Sequence, residues 1–299
     1  MKCLPSLATI SLLLSTASAV SAQARQQVVD FDSPEGWAMK YFSSVGMMQG
    51  NGPPPGLEKG QWVIGLEISN IPHLSKEERT VGFDGTKEED LNKSPLLARP
   101  LLHYGITRRL SATMSYLPPV EVFTGLKTHL AGFSLNYDLV RGERMSWTIR
   151  TIGQWSRAEG DFTAHREIVG NPDPQVNPFE AIAPSEDVYQ SWNATVDSTL
   201  FWRPSPKQNT WLFLNASYTY GDFSFDVDVP QANNKRHQQN LLTDGYLWVF
   251  SGGVDFRLGE RLSMRMSVVY APLDVRRPND YDVENDSLEN FRLIFHYDL

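Results

Sequence analysis

The chain has 299 residues, with 27 Lys and Arg against 35 Asp and Glu, a formal net charge of -8. The acid excess excludes the basic footprint of a nucleic-acid-binding protein, and a single cysteine, Cys3, excludes a disulfide scaffold or a cysteine-built metal centre. Past the first 22 residues no apolar run approaches the roughly 18 residues of a spanning helix, yet 8 Trp, 11 Tyr and 15 Phe are conspicuous.

Residues 1–22 read as an export signal. Lys2 supplies the basic start, Leu7 to Leu14 an apolar stretch too short to span a bilayer, and Val20-Ser21-Ala22 a small-residue cleavage site before Gln23. A cut after Ala24 fits almost as well.

Residues 23–60 follow. Asp32-Ser33-Pro34-Glu35 reads as a helix cap with proline in the first turn. Trp37, Tyr41 and Val45, with Ala38 and Phe42, share one helical stripe, which Asn51-Gly52-Pro53-Pro54-Pro55-Gly56 ends. The expectation is a short periplasmic helix against a barrel rim, with a plug in the lumen as the alternative.

From residue 61 the apolar residues recur at every second position, the strand period. Trp62, Ile64, Leu66 and Ile68 oppose Gln61, Gly65, Glu67 and Ser69; Phe291, Leu293, Phe295, Tyr297 and Leu299 oppose Arg292, His296 and Asp298. Ten such segments run over 61–69, 98–106, 110–117, 128–139, 146–156, 187–202, 210–220, 246–258, 262–270 and 288–299. A soluble sandwich would also alternate, but two features favour a membrane barrel. Short and long connections alternate, as with tight periplasmic turns and longer external loops. Aromatics also bracket the segments: Trp147 with Trp155, and Trp192 with Trp202, stand about 20–25 Å apart along a membrane normal, the height of an apolar band. The same count puts Trp62, Trp202, Phe256 and Tyr297 at the periplasmic rim and Tyr116, Trp155, Trp192, Trp248 and Tyr270 at the outer rim. The predicted fold is all-β, an antiparallel up-and-down transmembrane barrel of about ten strands over residues 61–299. Twelve are allowed if 157–186 hides a hairpin.

With its leader, alternating segments and aromatic final strand (Phe291, Phe295, Tyr297), the chain resembles the outer-membrane β-barrel proteins of Gram-negative bacteria. Such chains usually end on Phe or Trp, whereas this one ends Tyr297-Asp298-Leu299. The hairpin His103-Tyr104-Gly105-Ile106-Thr107-Arg108-Arg109-Leu110 is locally similar to hairpins of outer-membrane transporters from aromatic-degradation operons. The resemblance implies an outer-membrane location, contact with lipid and lipopolysaccharide, and insertion by the barrel-assembly machinery, as a monomer.

Counting from the periplasmic ends places Glu67, Arg99, Arg150, Asp197, Asp255, Arg265 and Arg292 in a middle zone of the lumen. Neighbouring strands would pair Arg150 with Asp197, Asp255 with Arg265, and Glu67 with Arg292 across the closing seam. One reading is ion pairs filling a narrow barrel, since buried charges need partners, and ten strands lie near the filled end of the size range. The other is a constriction whose opposed charges select a small polar or zwitterionic solute.

Enzymes of this architecture set specific requirements. Omptin-like surface proteases use an Asp-x-Asp and an Asp-x-His pair; Asp226-Val227-Asp228 and Asp280-Tyr281-Asp282 offer the first, but no Asp-x-His occurs. The outer-membrane phospholipase uses a His-x-Ser pair, matched only by His73-Leu74-Ser75. Asp280, Asp282, Glu284 and Asp286 are dense in carboxylates, but Asn285 stands where a calcium loop needs glycine. His103 and His296 read as lone lumen histidines. No catalytic set, cofactor or metal is expected. The expected function is a narrow passive channel for small solutes, with a closed barrel acting through its external loops as the alternative and a surface hydrolase third.

Overall fold

A computed structural model describes residues 25–123, 125–205, 208–278 and 283–299. The leader lies outside the described residues, as do Asp280 and Asp282.

Ten strands form the wall: β1 (Trp62–Asn70), β2 (Leu96–Gly105), β3 (Leu110–Phe123), β4 (Leu126–Arg141), β5 (Met145–Gly160), β6 (Asp187–Trp202), β7 (Thr210–Pro230), β8 (Arg236–Arg257), β9 (Leu262–Ala271) and β10 (Leu288–Asp298). Each pairs antiparallel with the next, and β10 returns to β1 with Ile294 opposite Glu67, closing the barrel. Residues 161–186 form a loop containing no paired hairpin, so the wall has ten strands.

Period two divides every strand between lipid and lumen. Leu214, Val196, Trp192 and Val268 stand on the exposed face, each more than half exposed. Their neighbours Asn215, Thr195, Asn193 and Ser267 are buried inside. Aromatics collect at two heights. Trp62 stacks near Tyr104, and Trp202 stands opposite Met145, beside the short turns. At the other end His129 bridges Tyr116 and Trp155, Trp155 meets Trp192, and Tyr218 and Tyr246 stack at 5.2 Å. Every backbone group of the spanning segments must be paired in lipid, and closure achieves that. The chain is a closed, ten-stranded antiparallel β-barrel with an apolar outer face.

Two strands rise furthest beyond the apolar band. β7 has 21 residues and β8 has 22. At about 3.3 Å per residue and roughly 40° of tilt they reach about 50 Å along the normal, twice the apolar band of about 25 Å. The hydrophobic pattern inverts as they leave the lipid. Below Tyr220 the even positions Leu212, Leu214, Tyr218 and Tyr220 face outward. Above it the odd positions Phe223, Val227 and Val229 are buried on the inner side, Phe223 against Phe31 and the two valines beneath the 161–186 loop.

The neighbouring β9 rises only as far as Tyr270, opposite Phe250, among its contacts with β8. The edge that β8 offers above that point takes the N-terminal strand Arg25–Val28, which pairs in parallel with Gln239–Leu242. The chain then turns inward. Ser33 caps helix α1 (Pro34–Gly46), its Oγ accepting from Gly36 N at 3.1 Å. The helix is buried almost all round, with Trp37, Tyr41 and Val45 in the largest hydrophobic cluster of the molecule. Beyond Gly46 the chain descends without regular structure to the short-turn end. There Arg141 donates to Leu57 O and Gly56 O, and Gly60 N to Gly105 O. The expected helix at the periplasmic rim is therefore corrected: α1 lies inside the barrel toward the long loops, because its apolar sides meet Tyr189, Phe223, Leu247 and Val249 of the wall.

Candidate functional site

The seven charged residues singled out in the sequence all come together in the lumen, with side chains no more than 5% exposed. Cross-strand register accounts for the pairings. Glu67 stands opposite Arg99, Arg150 opposite Asp197, and Asp255 opposite Arg265. Arg150 engages Asp197 through both its Nε and Nη2, Nε lying 2.9 Å from each carboxylate oxygen. Arg265 holds Asp255 at 2.8 Å. Glu67 is shared, with Arg99 at 2.9 Å and Arg292 at 3.5 Å across the seam.

Four arginines face three carboxylates, and the surplus donors turn to the plug. Arg99 donates to Gly46 O at 2.6 Å and Met47 O at 2.8 Å. Arg292 donates to Met47 O at 2.7 Å and Gln49 O at 3.2 Å. Arg150 reaches Met48 O at 2.9 Å. Arg265 reaches Gly50 O, Gly52 O and Pro53 O at 2.8, 2.9 and 3.2 Å. Asn51 joins two of the ion pairs, donating to Glu67 Oε2 at 2.9 Å and accepting from Arg150 Nη1 at 3.4 Å. Gln154 adds a bond to Gly46 O at 2.8 Å. A stretch with no ladder of its own has carbonyls that must be satisfied if buried, and the guanidinium fork presents several donors in one plane.

Glycines let the two backbones approach. Gly50 has φ +66, and a Cβ there would lie 2.7 Å from Ser251 Oγ. A Cβ on Gly132 of β4 would lie 2.2 Å from Met48 Sδ, so the bare wall at Gly132 makes the seat for Met48. At the short-turn end the space bounded by Gly52 to Leu57 and residues 107–111 is about 20 Å³, room for about one water.

The remaining candidates fall elsewhere. Asp226 and Asp228 lie on the projecting part of β7, bonded across the hairpin to Asn240 and to Arg236 and Gln238. Ser75 forms a reciprocal cap with Glu78, and His73 meets Asn92 at 3.3 Å. Of the acidic run, Glu284 and Asp286 both approach Arg277. His103 and His296 are not isolated: both are fully buried, their rings 5.2 Å apart, with His103 Nδ1 2.9 Å from Thr113 Oγ1.

Above α1, the 71–95 loop carries a second set of ionisable groups. Lys87 Nζ lies 2.7 Å from Glu89 Oε2 and donates to Thr163 O at 2.6 Å. Burial pushes the Glu89 carboxyl up to about 8, against the pull of Lys87 and with the added push of Asp187 and Glu35. Burial also raises the Glu35 carboxyl, in the first turn of α1. Sequence reasoning missed this group because its members come from three separate segments.

No protein-family model matches the chain, and no curated protein matches it. Among solved structures it is similar to the outer membrane protease OmpT from Escherichia coli, with 9% identity over 80% of this chain and 94% of that chain and a TM-score of 0.42. It is also similar to the toluene transporter TbuX of Ralstonia pickettii, with 10% identity, coverage of 81% and 90%, and a TM-score of 0.31. A third is the monoaromatic hydrocarbon channel CymD, with 14% identity, coverage of 89% and 75%, and a TM-score of 0.35.

Removing one partner of a buried ion pair strands the other, at a cost of about 3 kcal/mol or more. Asp197→Asn should lower the urea-unfolding stability of the barrel by about that amount. The double change Arg150→Met with Asp197→Leu should restore most of it, while leaving residues 44–53 more open to protease because the bond to Met48 O is gone. Equal protease resistance in the double variant would show that Arg150 does not hold the plug.

The Glu89 carboxyl sits above its ordinary value of 4.5 in the folded chain, so the fold retains that proton more tightly than the unfolded loop does. Loop docking should be strongest below that ordinary value, weaken as pH rises toward about 8 and then level off. Limited proteolysis of the 71–95 loop, scaled to an unstructured reference peptide, should be faster at high pH than at low pH, and Glu89→Gln should flatten the difference. A pH-independent wild type would contradict this.

Proposed function

We propose that the protein is a gated outer-membrane channel for small solutes, with residues 34–56 as the gate. The observation that carries the reading is the way this segment is held. The stretch from Met47 to Pro53 has no regular structure of its own, and its carbonyls are bound by side chains of the wall. Such a segment can leave its seat by exchanging wall bonds for water without unfolding the barrel, whose ladder is complete without it. The seven charged residues then have two roles: in the closed state they bind the plug, and in the open state the same ring of opposed charges lines the path. A non-enzymatic role fits this reading, since the Asp226, Asp228, His73 and Ser75 candidates are engaged in local structural contacts.

The projecting β7–β8 hairpin favours a second reading, a permanently closed barrel that acts through its outer surface. Planar-bilayer recording of the refolded protein separates the two. The gated channel predicts a mostly shut wild type with discrete brief openings. Arg265→Ala, which removes three bonds to the plug, and Gly132→Leu, which fills the seat of Met48, should each raise the open probability severalfold. A bilayer that stays silent with both variants, in barrels shown intact by heat-modifiable gel mobility, would overturn the channel and leave the surface reading.

A further inference from the structure

A cavity of about 140 Å³ lies between the plug helix and the external loops. Met39 and Phe42 of α1 border it on one side, and Phe162, Phe179 and Phe225 on another. An apolar cavity of about this volume, roughly 150 Å³, accommodates a single benzene ring. Beside the neutral Gln27, Thr163 and Gln239, its charged lining is of one sign. Glu35, Asp84 and Glu89 contribute carboxyl groups, and no lysine or arginine is among the lining side chains. Glu35 Oε1 accepts from Asp84 N at 2.6 Å, while Glu35 Oε2 is buried with no hydrogen-bond partner. The loop at this edge is held in an unusual conformation: Phe83 and Asp84 have φ of +51 and +55, and the Phe83 ring stacks on Phe179 at 4.9 Å. A side chain like Phe adopts that region only where its surroundings enforce it, and the bond from Asp84 N to Glu35 is one such restraint.

We propose that this cavity is a binding site for a small primary amine on an aromatic ring, with the ring among Phe42, Phe162 and Phe179 and the ammonium group donating to Glu35 Oε2. An anion would meet the carboxyl groups of Glu35, Asp84 and Glu89, and the nearby Lys87 is already paired with Glu89 at 2.7 Å. A neutral hydrocarbon would fill the space but leave Oε2 without a donor, whereas a buried acceptor requires one. An ammonium group also gains from nearby aromatic faces. Met39 and Phe42 belong to the helix that leads into the gripped segment, so an occupant rests directly on the gate. As the solute of the channel the amine depends on the gating reading above; as a bound ligand it does not.

Titration calorimetry on the full-length barrel in nanodiscs, with benzylamine, toluene and benzoate, tests the site. Benzylamine should bind one to one, toluene at least about 10-fold more weakly, and benzoate not measurably, since a charge-assisted hydrogen bond is worth that factor or more. Glu35→Gln keeps the acceptor for Asp84 N but removes the charge; it should weaken benzylamine about 10-fold and leave toluene unchanged. Benzylamine no tighter than toluene, unaffected by Glu35→Gln, or not bound at all would overturn the site. Binding in a barrel that never conducts would sink the gate alone, and conduction without binding would sink the amine site alone.

Discussion

The carbonyl groups of residues 46–50, 52 and 53 have no helix or strand in which to pair, and four buried arginines supply their donors. Much of the interior follows from that requirement. A guanidinium group taken out of water needs a carboxylate, which explains Glu67, Asp197 and Asp255 on adjoining strands. Arginine outnumbers acid by one because part of the positive charge is answered by the oriented carbonyls of the plug. Gly50 and Gly132 are bare because the two backbones must come within reach of those side chains. The arginines thus serve two neighbours at once, and the wall and the plug share a single polar network.

The lumen is accordingly divided along its axis. Toward the long loops it is apolar: Trp37, Tyr41 and Val45 pack on Tyr189, Leu247 and Val249, and the helix pairs its own backbone. Toward the short turns it is charged and the plug is extended. A helix with its side chains is about 10–12 Å across, a fair match to the interior of a barrel little wider than eight strands. Helix and extended tail together fill what a ten-stranded wall encloses. The external loops then close over the helix, which places the aromatic cavity and its carboxyl groups at the loop end of the plug.

Much of the wall was legible in the sequence because lipid and lumen impose opposite preferences on alternate residues. The ten segments, the two aromatic heights and the pairs Arg150–Asp197 and Asp255–Arg265 all follow from counting by twos. The projecting hairpin was not legible for a specific reason. Above Tyr220 the outside is water and the inside is protein, so Phe223, Val227 and Val229 carry on the period with the faces exchanged, which reads as the end of a strand. The position of α1 was hidden differently. Trp37, Tyr41 and Val45 form a one-sided stripe, but Ser43, Ser44 and Lys40 on the remaining surface are buried too. Lys40 is accommodated by Asp32 at 3.0 Å and Asp274 O at 2.7 Å, contacts that only the folded chain creates. The excess of lumen arginine over acid, together with Gly46, Gly50 and Gly52 ahead of the first strand, was the available signal that a backbone would complete the charge set.

The most direct test of this account is the reactivity of a cysteine placed at Met48, which is 2% exposed between Gly132 and Arg150. In a Cys3→Ser background, Met48→Cys in the lipid-inserted barrel should react with a soluble maleimide many-fold more slowly than in the urea-unfolded chain, and faster once Arg265→Ala is added. Labelling of the folded Met48→Cys protein at the unfolded rate would mean that the segment does not reside in the lumen, and the network of four arginines would not be what organises this barrel.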